Sequence, residues 1–268
     1  MQSSIQGNAV RTLAAMSATL ILPAYNERAR LGPALDELFA WLDGPGRTFE
    51  KLEVLVVDDG SDDGTADLVR ARPEARGTPE RPARLRVLTV PHRGKGAAVQ
   101  AGMLAAEGDL LLFADADMAT PPGEIPKLIE ALESADIALG SRIQPDGTDR
   151  RASQSTVRRL LGKVFHLFAS VWVLGPVQDS QCGFKGFSRT VARDLFSMQR
   201  VTSFVFDVEI IYLARRRGYR MAIVPIEWSD VRGSRMRTSV TLAFGVAVDL
   251  LRIPLLHRRV ARVRPAGS

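Results

Sequence analysis

The amino-acid sequence predicts an α/β fold, in which a parallel sheet carries helices on both of its faces. Short apolar runs without a polar break, such as Leu110–Phe113, are typical of strands that are covered on both sides. Between these runs lie segments whose apolar residues recur at helical spacing, as in residues 31–42. Because predicted strands and helices alternate, we expect the connections to be crossovers between parallel strands.

The predicted strands cover residues 18–22, 52–57, 85–90, 109–113 and 135–139, and the predicted helices cover residues 31–42, 65–72, 97–106, 123–133 and 207–217. Pro23 is expected to end the first strand. Polar loops follow the first, second and fourth strands, at residues 23–27, 58–65 and 115–117. Because open α/β sheets bind ligands at the carboxyl ends of their strands, we expect these loops to gather at one edge.

Composition limits the classes of protein to which the chain can belong. Its 268 residues suit one large domain, or one domain with appendages. The single cysteine, Cys182, excludes a disulfide framework and a CxxC metal site. The formal charge is +6, and the basic excess after Asp249 suggests a polyanionic partner, either nucleic acid or an anionic membrane surface. No RNA-binding motif or set of stacking aromatic residues supports nucleic acid.

Two carboxylates stand directly after the fourth predicted strand. Asp115 and Asp117 flank Ala116, and two carboxylates at this spacing on a turn can both reach one hard cation such as Mg²⁺ or Mn²⁺. The alternative is an Asp-rich turn whose side chains cap backbone amides.

A glycine pair follows the third predicted strand. In Gly94-Lys95-Gly96 the glycines stand at the start of a helix, where they are expected to expose backbone N–H groups to an anion, and Lys95 adds positive charge. The P-loop pattern is absent.

The motifs together resemble a known family. Residues 23–27 (PAYNE), 57–65 (VDDGSDDGT), 94–96 (GKG) and 115–117 (DAD) resemble, in order and spacing, the nucleotide-sugar-binding series of family 2 inverting glycosyltransferases. Residues 140–142 (GSR), 179–187 (DSQCGFKGF) and 228–235 (WSDVRGSR) are similar to the branch that glycosylates polyprenyl phosphates, the dolichyl-phosphate glucosyltransferases and mannosyltransferases. The resemblance covers residues 18–238.

The resemblance implies a fold and an activity. The fold is the glycosyltransferase A-type, Rossmann-like mixed sheet flanked by helices, with C-terminal amphipathic helices in this chain. The activity is inverting transfer of a hexose from a nucleotide sugar to a polyprenyl phosphate. The motif at residues 179–185 favours UDP-glucose over GDP-mannose. GDP-mannose or a soluble acceptor remains an alternative, as does a module that binds nucleotide sugar or nucleic acid without catalysis, although Asp115, Asp117 and Asp179 argue against the last.

The resemblance also implies the donor site. Its residues are Pro23, Ala24, Tyr25, Glu27, Asp58, Gly60, Lys95, Asp115, Ala116 and Asp117. Asp115 and Asp117 would hold Mg²⁺ or Mn²⁺ on the diphosphate, which makes Asp117 a catalytic residue as well. Some relatives place a Gln where this chain has Ala119, so a third protein ligand is not implied. Asp58 would accept from uracil N3–H or ribose hydroxyls, whereas the alternative for Asp58 and Asp59 is capping of the helix at Thr65.

On the acceptor side, the resemblance implies Asp179 as the catalytic base or as the group that orients the acceptor. Asp207 and Glu209 are the rivals, and their alternative role is an exposed helix face. Arg142, Arg158 and Arg235 would bind the acceptor phosphate, since Arg binds phosphate bidentately. Cys182 is expected to be a small buried hydrophobe.

The domain prediction has three parts. Residues 1–17 form a flexible tail without a signal-peptide pattern, residues 18–237 the catalytic domain, and residues 238–268 a basic amphipathic segment. Residues 157–174 and 238–256 are not apolar enough for a clear membrane span; both fit amphipathic helices at the interface, or else core helices. The expected location is therefore peripheral, on the cytoplasmic face of a membrane. The sequence leaves the oligomeric state open.

Overall fold

A computed structural model of the protein describes residues 16–49, 51–77, 83–144, 146, 148, 179–229 and 240–262. The strands in these ranges are β1 (Ala18–Ala24), β2 (Leu52–Asp58), β3 (Leu85–Thr89), β4 (Leu110–Phe113), β5 (Ile137–Ser141), β6 (Lys185–Ser188) and β7 (Met221–Pro225). The α-helices in these ranges are α1 (Arg28–Asp43), α2 (Thr65–Ala71), α3 (Lys95–Ala105), α4 (Ile125–Ala131), α5 (Arg189–Met198), α6 (Phe206–Arg217) and α7 (Val240–Leu256). Short 3₁₀ turns occupy Pro73–Ala75 and Pro122–Glu124.

The strands form one mixed sheet in the order β3-β2-β1-β4-β6-β5-β7. β6 is antiparallel to both of its neighbours, β4 and β5, while the other paired strands run parallel. The mixed sheet that the resemblance implies is confirmed, and the wholly parallel sheet that strand–helix alternation predicts is wrong at β6. The four residues of β6, Lys-Gly-Phe-Ser, show neither an apolar run nor alternation, so the sequence carries no local sign of this strand.

Both faces of the sheet are covered, as predicted. Successive side chains of a strand point to opposite faces, so Leu20 and Leu22 of β1 join a cluster that includes Leu35 of α1 and Leu128 of α4. Ile21 points the other way and joins the cluster that contains residues of α3, α5, α6 and α7. The uninterrupted apolar runs therefore reflect burial on two sides.

Pro23 does not end β1, because the strand continues to Ala24. β1 pairs with β4 only as far as Ile21, while its pairing with β2 continues to Ala24. Beyond Ile21 one side of β1 has no neighbouring strand, and a residue without an N–H group is tolerated there.

The three polar loops gather at one edge, as predicted, because β1, β2 and β4 are parallel and end on the same side. This edge carries the candidate site.

The C-terminal helix α7 packs against the body of the protein with one face. Leu250 and Ile253 are buried, as is His257 just beyond the helix, whereas Leu251, Leu255 and Leu256 are exposed. Arg216 and Arg217 of α6 donate to backbone carbonyls of residues 258–261, which ties down the segment after α7. The structure thus combines features of both predicted alternatives, a core helix and an interfacial helix. Across the described residues, no helix has the length and hydrophobicity that crossing a bilayer requires.

Several predictions lie outside the described residues. They concern the first fifteen residues of the tail, the segment at 157–174, and the acceptor-phosphate candidates Arg158 and Arg235.

Candidate functional site

The acidic loop after β4 holds Asp115 between a cation and a glycine. Lys95, at the start of α3, makes an ion pair with Asp115 Oδ1. On the other side, Gly183 lies so close to the Asp115 carboxylate that any side chain at position 183 would collide with it. This contact explains why a glycine stands in the 179–187 motif.

Asp117 lies next to Asp115 and is more buried. Its Oδ2 accepts from Arg30 Nη1 at 3.3 Å, and Arg30 also pairs with Glu27. Its Oδ1 accepts from the Ala119 N–H at 3.3 Å, so the turn-capping alternative holds for one of its oxygens. Burial first, and then the neighbouring charge of Asp115, raise the pKa of Asp117, although Arg30 opposes the shift.

The donor set fits a divalent cation. Two carboxylates that repel each other at one opening supply hard oxygen ligands, and a cation between them would relieve the repulsion. Ala119 is buried and has no ligating side chain, and among the described residues no group of three or more His, Cys, Asp or Glu forms a fuller ligand set. Water and donor oxygens would have to complete the coordination of Mg²⁺ or Mn²⁺.

Lys95 keeps its charge beside these carboxylates. Burial alone would lower its pKa, but Asp115 first, then Asp207 and Asp117, outweigh burial, and the pKa of Lys95 is raised. The site therefore contains a fixed ammonium group next to the proposed metal ligands.

The expectation of exposed N–H groups is wrong for both glycines of the glycine loop, residues 93–96. The N–H groups of Arg93 and Gly94 donate to the two oxygens of buried Asp59, each at 2.9 Å, and the Gly96 N–H donates to the Thr202 carbonyl at 2.9 Å. These donors are already satisfied within the fold, so Lys95 supplies the attraction for an anion through its side chain.

The helix-capping alternative for Asp58 and Asp59 is also wrong. Asp63 takes that role, because its Oδ1 accepts from the Thr65 N–H at 2.9 Å and its Oδ2 accepts from the Arg28 N–H at 3.1 Å. Asp63 thus joins the starts of α1 and α2, and Asp59 organises the loop after β3.

Asp58 stands apart from these structural carboxylates. It is buried at the end of β2, and its Oδ1 has no hydrogen-bond partner among the described residues. A buried carboxylate oxygen without a hydrogen-bond partner lowers the stability of the fold, unless a ligand donates a hydrogen bond to it. Nearby, Gly60 has φ of 73°, a left-handed conformation that favours glycine.

Tyr25 is half exposed and stacks on His92, with ring centroids 4.0 Å apart and an interplanar angle of 18°. His92 is held by Asp59, whose Oδ2 lies 2.9 Å from Nδ1. Pro23, Ala24 and Ala116, which the resemblance assigns to the donor site, are buried.

The two acceptor-side candidates, Asp179 and Arg142, bind each other. Arg142 donates to Asp179 from Nε at 2.8 Å, from Nη2 at 2.5 Å and from its backbone N–H at 2.8 Å. Asp179 is buried and has φ of 49°, which is rare for a residue with a side chain. Burial lowers the pKa of Arg142, but the Asp179 carboxylate outweighs this and the pKa is raised. The Arg142 guanidinium also lies 5.6 Å from the ring centroid of Trp228.

The rival carboxylates are both buried and hydrogen-bonded, so their predicted alternative, an exposed helix face, is wrong. Asp207 is buried, and its Oδ1 accepts a hydrogen bond of 2.7 Å from Lys185 Nζ. Lys185 is only 1% exposed. Burial raises the pKa of Asp207, against the opposing effect of Lys185 and Lys95. Glu209 is fully buried and accepts from the N–H groups of Arg200 and Val201. Cys182 is buried as expected. Burial is the largest of the causes that raise the pKa of its thiol to about 12, and a thiol with so high a pKa does not suit a nucleophile.

Sequence reasoning missed several residues at this site. Ser180 Oγ and Gln181 Nε2 are buried without partners among the described residues, directly after Asp179. Arg30 and Trp228 contact site residues from distant parts of the chain, and His92 pairs with Tyr25. The positions of His92, directly after β3, and of Ser180 and Gln181, within the 179–187 motif, could have pointed to them. Trp228 is the first residue of the 228–235 motif, whereas no local signal marked Arg30.

Comparison with known proteins gives consistent results. Residues 19–196 match the family model described as glycosyl transferase family 2. The chain is 37% identical over 252 residues to a dolichyl-phosphate beta-glucosyltransferase of Trichomonas vaginalis, covering 90% of this chain and 71% of that protein. The corresponding Drosophila melanogaster enzyme is 39% identical over 228 residues, with 81% and 68% covered, and the human enzyme is 33% identical over 231 residues, with 81% and 69% covered.

Solved structures show the same fold. Glucosyl-3-phosphoglycerate synthase of Mycobacterium tuberculosis in complex with Mn²⁺, UDP-glucose and phosphoglyceric acid superposes with a TM-score of 0.65, at 19% identity. The match covers 97% of this chain and 85% of that one. At this level of identity the comparison establishes the fold alone.

Proposed function

The chain belongs to glycosyl transferase family 2, and we propose that it transfers glucose from UDP-glucose to a polyprenyl phosphate with inversion at the anomeric carbon. The relatives named as dolichyl-phosphate beta-glucosyltransferases support this substrate pair. The observation that carries the proposal is the sheet edge itself. There the unsatisfied Asp58 oxygen ends β2, the adjacent carboxylates of Asp115 and Asp117 follow β4, and Arg142, which holds Asp179, follows β5.

The nucleoside end of the donor would lie against β1 and β2. Asp58 Oδ1 can accept from uracil N3–H or from a ribose hydroxyl, which satisfies its missing hydrogen bond. Tyr25 and His92 offer an already stacked aromatic surface. Both features favour a nucleoside at this position.

The diphosphate would lie between Lys95 and the two carboxylates of the acidic loop. A bound Mg²⁺ or Mn²⁺ would supply Lewis-acid stabilisation of the leaving diphosphate. Asp115 and Asp117 would hold that ion, while Arg30 pairs with Asp117 and Lys95 pairs with Asp115. Gly183 lets the 179–187 turn approach Asp115 closely, so the donor and acceptor halves of the site meet there.

Arg142 would bind the acceptor phosphate, and Asp179 would hold its guanidinium in place. A phosphate monoester has a second pKa of about 6 and is nucleophilic at neutral pH. The site must therefore position the phosphate and neutralise its charge more than it must remove a proton. Asp179 is already engaged by three donors from Arg142, which favours the orienting role over the base role. Ser180 Oγ and Gln181 Nε2 are available for sugar hydroxyls or phosphate oxygens.

Helix α7 would place this site at the membrane surface. Its outward face carries Leu251, Leu255 and Leu256, with Leu255 70% exposed, and Arg252, Arg258 and Arg259, close to them in sequence, are exposed as well. Exposed apolar side chains together with exposed arginines fit the interface of an anionic bilayer, where each basic residue contributes about 1 kcal/mol. A lipid-linked phosphate lies in the same plane.

A transfer assay tests the proposal. The protein is incubated with Mn²⁺, labelled UDP-glucose and vesicles that contain polyprenyl phosphate, and label in the organic extract is followed. GDP-mannose replaces the donor in one arm, and 3-phosphoglycerate replaces the lipid in another. We expect label in the lipid from UDP-glucose only. Label in the soluble phosphate alone would overturn the lipid acceptor, and preferential use of GDP-mannose would overturn the donor.

A further inference from the structure

The segment at residues 199–205, which we call the bridging segment, lies between the donor site and helix α7. On one side it contacts the glycine loop at the start of α3. The Thr202 carbonyl accepts from the Gly96 N–H at 2.9 Å, and Gln199 Nε2 donates to the Gly96 carbonyl at 2.9 Å. A side chain at position 96 would lie within 2.9 Å of Thr202 and Ser203 backbone atoms, so the two backbones are in direct contact.

On its other side the bridging segment is held by two carboxylates. Glu209 of α6 accepts from the N–H groups of Arg200 and Val201 at 2.9 and 2.8 Å, and its Oε1 lies 2.6 Å from His257 Nε2. Ser203 Oγ donates to Asp249 Oδ2 of α7 at 2.6 Å. Both His257 and Asp249 come from the C-terminal helix region, so α7 contacts the bridging segment directly and through Glu209.

These contacts form a continuous path from α7 to the acidic loop. The path runs from Asp249 to Ser203, through Thr202 to Gly96, and from the neighbouring Lys95 to Asp115. Lys95 extends from the first residue of α3, so a shift of the glycine loop moves the ammonium group relative to Asp115. The proposed mechanism uses neither Asp249 nor His257, and neither contacts a donor residue.

We propose that Asp249 and His257 are positioning residues for the donor diphosphate, acting through the bridging segment on the start of α3 and on Lys95. This inference rests on the proposed function, because the proposed function places the donor diphosphate beside Lys95 and Asp115. The helix that presents the apolar outer face to the membrane would then also hold the donor site in its binding geometry. Loss of α7 would impair nucleotide binding even where no membrane is present.

The test measures nucleotide affinity without lipid. Ser203→Ala and Asp249→Ala each remove the 2.6 Å bond, whereas Asp249→Asn keeps a side-chain oxygen that can accept from Ser203 and serves as the matched control. Affinities for UDP with Mn²⁺ and for uridine are measured by calorimetry, and the melting temperature of each variant is recorded. Ser203→Ala removes one hydroxyl only, so it keeps the test informative if Asp249→Ala folds poorly.

We expect both alanine variants to weaken UDP binding about fivefold, the effect of losing one hydrogen bond of ordinary net strength, with uridine affinity unchanged and Asp249→Asn close to wild type. The variant that combines Ser203→Ala with Asp249→Ala should bind UDP no more weakly than the single variant with the lower UDP affinity. The reason is that each substitution removes the same hydrogen bond. Unchanged UDP affinity in both variants, or equal loss for UDP and uridine, would overturn the inference. Wild-type protein that binds UDP but transfers no glucose would contradict the proposed function and leave this inference intact.

Discussion

At the scale of single residues, neighbouring carboxylates on one strand end have opposite roles. Asp58 and Asp59 are both buried, yet Asp59 accepts from two backbone N–H groups and Asp58 Oδ1 has no partner among the described residues. A satisfied buried carboxylate stabilises the fold, whereas an unsatisfied one costs stability and is available for a ligand. The hydrogen-bond partners therefore distinguish the proposed binding residue, Asp58, from Asp59, which holds the fold.

This difference predicts opposite effects of the same substitution. Asp58→Asn should weaken UDP binding by about tenfold without lowering the melting temperature, because no protein contact of Oδ1 is lost. Asp59→Asn should lower the melting temperature, because one of its two backbone donors loses its acceptor. Calorimetry and thermal unfolding measure both effects. A large loss of stability in Asp58→Asn, with UDP affinity retained, would show that Asp58 is structural.

Substitution of either carboxylate in the acidic loop after β4 should impair metal-dependent turnover. Asp115→Asn or Asp117→Asn should reduce kcat on the order of 100-fold, since each removes a charged oxygen ligand and its contribution to charge stabilisation. Asp67→Asn, a change at an exposed carboxylate of α2, serves as the control. Transfer rates are measured across a Mn²⁺ titration. Full activity of both loop variants, or of wild type in EDTA, would refute the metal role.

The Arg142–Asp179 pair predicts a defect on the acceptor side. Asp179→Asn and Arg142→Lys should each raise the acceptor KM and lower kcat, while UDP affinity stays within about twofold, because the pair lies beside β5 and β6, and β4 separates these strands from β1 and β2 with their proposed nucleoside residues. If Asp179 acts through Arg142, the double variant should show less than the sum of the two losses. Collapse of UDP affinity in Asp179→Asn would instead make Asp179 a donor ligand.

At the scale of elements, α7 has a buried face and an exposed face, and the proposed function assigns the exposed one to membrane binding. Leu250 and Ile253 point into the core that α7 shares with α6, and Leu251 and Leu255 point outward. Substitutions on the two faces of this one helix therefore separate stability from membrane binding.

Outer-face variants should release the protein from vesicles without unfolding it. We expect Leu251→Gln with Leu255→Gln to abolish co-sedimentation with anionic vesicles, and Arg258→Glu with Arg259→Glu to reduce it most strongly at low salt, where charge is least screened. Ile253→Ala, on the inner face, should instead cost about 2–5 kcal/mol of stability. Thermal melts run beside the sedimentation assay provide the check. Retained sedimentation of the leucine pair variant would remove α7 as the membrane contact.

At the scale of the whole molecule, the sequence predicts those features that depend on local pattern. The apolar runs of β1, β2 and β4 indicate strands, and their parallel order brings the acidic loops to one edge, where Asp115 pairs with Lys95. Contacts between distant residues could not be predicted in this way. Arg142 and Asp179 are 37 positions apart, and the Thr202 carbonyl closes a glycine loop that the sequence pattern predicts to be open. Local periodicity carries no information on such contacts, and β6 is too short and too polar to show any.

In the proposed mechanism the acceptor phosphate itself attacks the anomeric carbon of the donor in a single displacement. The most direct measurement is the anomeric configuration of the lipid-linked glucose, determined by proton NMR on the product made from α-linked UDP-glucose. The proposed mechanism predicts a β-linked product, because one displacement inverts the centre and the site provides the phosphate with positioning charges rather than a protein nucleophile. An α-linked product would require two displacements or front-side attack, and it would contradict the proposed roles of Arg142, Asp179 and the acidic loop.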